Sequence, residues 1–224
     1  MEEIKIIFED KDMMVVEKPS LMTTTKEKKG EEGTLEDYLR EIRPNNLSRN
    51  GIIHRLDKGT SGLILVAKTE EAFLNLKNQF KERSLSKKYY CLVGGDVSFE
   101  GTINMPIARS KYVFAKFGVN EEGKTALTKF KLIKKYKKDG KIYSLMEVDL
   151  KTGRTHQIRV HFSHLRWPLV GDRVYGGEVI EGLKRPFLHA YQMVFNHPIT
   201  NREIKIKIDL SKDLQEVLTQ YEEY

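Results

Sequence analysis

Short apolar or alternating segments parted by turn residues constrain this chain more than anything else in it. Residues 4–8 and 13–17 flank Glu9-Asp10-Lys11-Asp12, the pattern of a hairpin. Strand-like patterning recurs at 63–67, 87–94, 126–133, 143–150, 155–162, 187–195 and 203–209. Most links between these segments are hairpin-like, which argues against a doubly wound parallel sheet. Helical signals interrupt the series. Thr34 caps a helix through about Ile42, stopped by Pro44 and the Asn45-Asn46 turn. Thr69, with Glu70 and Glu71 in the first turn, caps a second one. There Phe73, Leu76, Lys77 and Phe80 recur at helical spacing up to about Arg83, the spacing of a core-packing face. A short amphipathic helix follows Ser211, and the polar stretch 20–33 reads as a mobile loop. The expectation is one α+β domain over residues 1–224, with a mainly antiparallel mixed sheet flanked by helices.

Several function classes drop out early. The longest apolar run, Leu63-Ile64-Leu65-Val66-Ala67, is far short of the roughly 20 residues that span a bilayer. Met1-Glu2-Glu3-Ile4-Lys5 lacks the basic and apolar stretches of a signal peptide, so a cytoplasmic protein without a membrane partner is expected. Cys91 is the only cysteine, which excludes an intrachain disulfide and a cysteine metal cluster. The net charge of +7 is moderate, but its placement is uneven. Lys81, Arg83, Lys87 and Lys88 form one basic run, seven lysines between Lys129 and Lys141 a second, and Lys151, Arg154, Arg159, Arg166 and Arg173 a third. Any one run is explained by a solvated face; three around one site fit a surface that tracks phosphates.

Two segments could carry chemistry. In Gly51-Ile52-Ile53-His54-Arg55-Leu56-Asp57-Lys58-Gly59-Thr60-Ser61-Gly62, an apolar strand runs into charged residues, a turn and a second apolar strand. Arg55 and Lys58 favour an ionised Asp57, which could act as a nucleophile. The competing reading is a turn aspartate that caps the Gly59-Thr60 backbone. In Thr152-Gly153-Arg154-Thr155-His156-Gln157-Ile158-Arg159-Val160-His161, read as a strand, Thr155, Gln157, Arg159 and His161 share one face. That offers Arg159 for pairing with a buried acid. It also separates His156 from His161, and no acidic or cysteine ligand accompanies them, so no metal site is expected. Tyr89 and Tyr90 fall on opposite faces of a strand, one in the core and the other on the surface or in a site where a base could stack.

Together these residues resemble the RluA-type family of RNA pseudouridine synthases. His54-Arg55-Leu56-Asp57 with Thr60-Ser61-Gly62 resembles the signature around that family's catalytic aspartate. Thr152 to His161, then Pro168, Gly171-Asp172 and Tyr175-Gly176, resembles another signature, and Lys88-Tyr89 with Gly95 the tyrosine motif. The opening, from Phe8 to Lys18-Pro19, is similar to the family's first hairpin, but Ser20-Leu21-Met22-Thr23-Thr24-Thr25 departs from its small residues and glycine. The resemblance implies a pseudouridine synthase fold with a catalytic cleft along the sheet, and an isomerase that acts on uridines of structured RNA, ribosomal or transfer, without a cofactor; a monomer is the default expectation. It implies Asp57 as nucleophile, Tyr89 stacked on the base and assisting proton removal from C5, and Arg159 paired with Asp57. Arg55 would fill the space left by the flipped base, with His54, Lys88, Arg154 and His156 as further RNA contacts. Many relatives carry an N-terminal S4-type RNA-binding module; with the signature starting near residue 4, none is expected here. The same fold could instead serve as an RNA-binding or ribosome-assembly factor with little catalytic role, or as a base glycosylase.

Overall fold

A computed structural model describes residues 4–26, 31–110 and 116–224. In chain order its elements are β1 (Lys5–Glu9), β2 (Met13–Lys18), α1 (Leu35–Ile42), β3 (Ser61–Ala67), α2 (Glu70–Glu82), β4 (Ser86–Gly94), β5 (Gly101–Asn104), β6 (Ile107–Arg109), β7 (Phe117–Val119), β8 (Leu127–Lys138), β9 (Lys141–Leu150), α3 (Gln157–His164), β10 (Leu188–Asn196), β11 (Glu203–Lys207), α4 (Lys212–Leu218) and β12 (Glu222–Glu223). This is an α+β fold built on mostly antiparallel strands. It divides into two compact units: Met1–Ser86 with Ala190–Ile208, and Lys87–His189 with Asp209–Tyr224.

In the first unit, β1 pairs with β2 and β2 with β3, both antiparallel, and β10 follows beside β3 with β11 on it. Because side chains alternate across a strand, Met13 and Val15 of β2 and Leu63, Leu65 and Ala67 of β3 share one face. There they bury against Ala72 and Leu76 of α2 and against Met193, Phe195 and Ile206. Ile64 and Val66, on the opposite face of β3, are also fully buried. That explains why the strand is a continuous apolar run rather than an alternation. Both helices start where the sequence reading puts them. Thr34 Oγ1 accepts the Asp37 amide while the Asp37 carboxylate accepts the Thr34 amide, a reciprocal capping box. Thr69 Oγ1 accepts the Ala72 amide, and α2 ends on Arg83 in the left-handed conformation.

In the second unit, β4 pairs with β9 and β9 with β8, and β8 carries β5 and β12, all antiparallel. Strands β6 and β7 form a separate hairpin. One side of this sheet is covered by α4, whose Leu214 and Val217 pack with Leu92, Tyr136, Tyr143 and Leu145. Arg185 anchors that helix with two bonds to Asp213, of 2.7 and 2.9 Å.

Two assignments change. The expected strand at 155–162 is the helix α3. Its apparent alternation was never a two-sided pattern, because every residue from Gln157 to Phe162 is buried. A segment enclosed on all sides gives no period-2 signal, and short-range bonds decide it. His156 adopts a left-handed conformation (φ 56°) and its carbonyl accepts the Val160 amide at 2.8 Å. The segment before Asp57 is likewise no regular strand; its backbone meets β3 in an isolated bridge from Ile52 to Val66.

Candidate active site

Asp57 sits at the end of a segment held by backbone bonds on both sides. Ile53 donates its amide to the Leu65 carbonyl, and the Leu65 amide returns to His54 Nε2 at 3.2 Å. The His54 ring also stacks on Phe80, with centroids 4.8 Å apart. His54 therefore acts here as a clip between β3 and α2. Leu56 is buried, and Thr24 grips it twice: the Thr24 hydroxyl donates to the Leu56 carbonyl (2.7 Å) and accepts the Leu56 amide (3.1 Å). Past the aspartate, the Gly59 amide goes to the Ser20 carbonyl at 2.7 Å, and the Thr60 amide to the backbone carbonyl of Asp57 at 3.0 Å. Those two amides are the donors that a capping carboxylate would have taken. Both are engaged by backbone carbonyls.

Residues 20–26 are thus tied down, contrary to the mobile loop expected there; residues 27–30 of that expectation lie outside the described part. Their inner anchor is Lys18, whose fully buried ammonium donates to the carbonyls of Pro19 (2.6 Å) and Met22 (2.7 Å). Thr24 belongs to the stretch that departs from the family pattern. Arg55 and Lys58 are exposed on either side of the half-buried Asp57. Gly62 closes the turn at φ 121°, where an added Cβ would stand 2.2 Å from the Ala190 carbonyl oxygen. Only glycine fits that approach.

The second unit holds Tyr89 and Arg159. Tyr89 of β4 is buried and lies opposite Val148. Tyr90 lies on the other face and packs toward the α4 side. Lys88, next to it in register with Asp149, turns the same way as Tyr90, and its ammonium holds Glu147 at 2.8 Å. Lys88 is therefore on the sheet face opposite Tyr89. Lys129 and Lys131 share that opposite face, being paired with Asp149 and Glu147 across β8–β9. Much of the Lys-rich run is matched by acids or amides in the same unit: Lys131 with Glu147, Lys134 with Glu223, Lys135 with Asp96, Lys138 with Gln220 and Lys141 with Glu178. These surface pairs fit the solvated-face reading of the run.

Arg159 is buried and forks onto Asp172, with Nε to one carboxylate oxygen at 2.7 Å and Nη2 to the other at 2.8 Å. The Tyr175 ring lies 4.9 Å from its guanidinium, and Asp172 also accepts the Tyr175 amide. The Tyr175 hydroxyl accepts the Phe117 amide (3.0 Å) and bonds His156 Nδ1 (2.9 Å). His161 turns toward β8, between the Thr128 hydroxyl and the Met105 carbonyl, and burial lowers its pKa. Gln157 fixes the whole loop: its oxygen accepts from the Thr152 hydroxyl and the Arg154 amide, and its nitrogen donates to Leu127 and Thr128. Arg154, half-buried, donates to the Thr125 carbonyl. Tyr175 and Asp172 are the centre of this cluster, and sequence reasoning quoted both without giving either a role. No sequence pattern links Arg159 to Asp172, which lies beyond the end of α3.

Comparison with known proteins now bears on the site. A family model described as RNA pseudouridylate synthase matches residues 12–164, which include Asp57, Tyr89 and Arg159. The chain is 36% identical over 226 residues to ribosomal large subunit pseudouridine synthase D of Pseudomonas aeruginosa, covering 94% of this chain and 69% of that one. It is also 36% identical over 222 residues to an uncharacterised RNA pseudouridine synthase of Bacillus subtilis, covering 96% and 72%. Among solved structures, human RNA pseudouridylate synthase domain containing 1 superposes with a TM-score of 0.81 at 26% identity, covering all of this chain and 89% of that one.

Proposed function

Because this chain belongs to the RNA pseudouridylate synthase family, an isomerase family acting on uridine in RNA, we propose that its substrate is large-subunit ribosomal RNA and that Asp57 is its nucleophile. The observation that carries the second part is the bonding around the aspartate. Carbonyls occupy the turn amides at Gly59 and Thr60, while Thr24 and His54 hold the approaching backbone. A carboxylate placed by rigid neighbours is preorganised for attack. The substrate class follows the relatives named as ribosomal large subunit synthases.

In this reading the target uridine flips out of its stack, at a cost of a few kcal/mol that is smallest in a loop. Asp57 adds to it, the C1′–N1 bond breaks with its electron pair left on the uracil, the uracil turns, and C5 bonds to C1′ as the carboxylate is released. Tyr89 stacks on the base and assists removal of the C5 proton. Arg159, its guanidinium oriented by Asp172, serves as the arginine of the family's motif. Arg55, exposed beside the nucleophile, fills the gap in the RNA stack, and Arg154 and His156 contact the strand. No step calls for a cofactor.

Transcripts of large-subunit ribosomal RNA and of transfer RNA test the substrate. After incubation with the enzyme, pseudouridine is mapped by carbodiimide labelling and primer extension. New stops are expected in the ribosomal transcripts; stops confined to transfer RNA would overturn the assignment.

A further inference from the structure

The sequence places two lysines before Tyr89, and the pleat of β4 separates them. Lys88 points to the face where Glu147 takes its ammonium. Lys87 points to the other face, two residues before Tyr89 and on the same side, because alternate residues of a strand line one face. Its ammonium reaches the loop between β9 and α3: a methyl group built on Gly153 would stand 3.7 Å from the Lys87 nitrogen. Gly153 lies between Thr152 and Arg154, both held by Gln157, so the loop beside the ammonium is fixed. The side chain keeps partial access to solvent, yet burial pushes its pKa down to about 8, so it is still mainly cationic at neutral pH.

We infer that Lys87 faces the target uracil beside Tyr89 and offsets the charge left on the ring as it detaches. The inference rests on the isomerase reading with Asp57 as nucleophile. When the C1′–N1 bond breaks, its electron pair stays on the uracil, and the ammonium stabilises that charge without giving up a proton. A positioned donor aimed at developing charge contributes more in a partly desolvated site than in water. Lys88, engaged by Glu147 on the far face, is not placed for this task.

The test uses single-turnover tritium release from RNA made with 5-tritiated uridine, at saturating enzyme, alongside RNA affinity and thermal melting. Wild type and Asp57→Ala come first; release that depends on Asp57 secures the underlying reading independently of Lys87. Lys87→Met keeps the volume of the stem and removes the charge. Its expected saturating rate is ~100-fold lower with RNA affinity within about threefold of wild type, the scale of losing one such donor. Lys87→Arg is expected to recover at least about tenfold of that loss. The inference is overturned by a Lys87→Met rate within about twofold of wild type, or by a loss confined to affinity. It is equally overturned if Lys87→Arg is no faster than Lys87→Met, or if the loss follows a fall in melting temperature.

Discussion

Asp57 and Arg159 are separated by what surrounds them. The aspartate is half-buried with cationic neighbours in sequence; the arginine is buried and already forked onto Asp172. Removing Arg159 alone leaves Asp172 as an uncompensated buried charge, which costs on the order of 3–5 kcal/mol of stability. Arg159→Ala is therefore expected to lower both the melting temperature and the isomerisation rate. The pair Arg159→Met with Asp172→Leu separates the two effects: stability is expected to return while the rate stays low. Recovery of the rate along with stability would make Arg159 a structural residue only. Asp57 was noticeable in the sequence because charged residues at the mouth of an apolar run stand out, and the role proposed for it comes from the family resemblance. The Asp172 partner was not, since nothing in a strand pattern links residues thirteen apart, and the Thr24 clasp on Leu56 joins positions far apart in sequence.

Among the elements, the ones bounded by turn residues or caps were legible: β2, β3, α1 and α2 begin and end close to their expected limits. Helix α3 was not, because enclosure on all sides erases the periodic signal. Strand β8 illustrates a different limit. Its lysines stand out in sequence as a phosphate-tracking run, whereas the acids that answer them come from β9, β12 and loops. Each phosphate contact contributes about 0.9 to the slope of log affinity against log salt. Replacing Lys134 and Lys135 with glutamine is expected to leave that slope within about 0.5 of wild type, as measured by filter binding to ribosomal RNA. A decrease near 1.8 would put both lysines on the RNA backbone.

At the scale of the whole molecule, the family, the α+β class and the reaction type follow from ordered motifs spread along the chain, and the pH response follows from burial. His189 is fully buried, and that burial lowers its pKa to about 4. Above pH ~6.5 the ring is neutral in both folded and unfolded chains, so it has no effect on stability. As pH falls from about 6.5 toward 4, the unfolded chain binds a proton that the folded one refuses, and stability declines by at most about 3 kcal/mol. Urea unfolding at pH 7 and pH 4.5 is expected to show a smaller acid loss for His189→Asn than for wild type. Equal losses would mean that the ring is protonated in the fold.

The central claim is that Asp57 drives isomerisation of uridine in RNA. Tritium release from 5-tritiated ribosomal RNA tests it most directly, with wild type and Asp57→Ala compared at equal RNA occupancy. Release by wild type, with none by Asp57→Ala although the variant still binds RNA, is the expected result. Release by both proteins alike, or by neither, would contradict it.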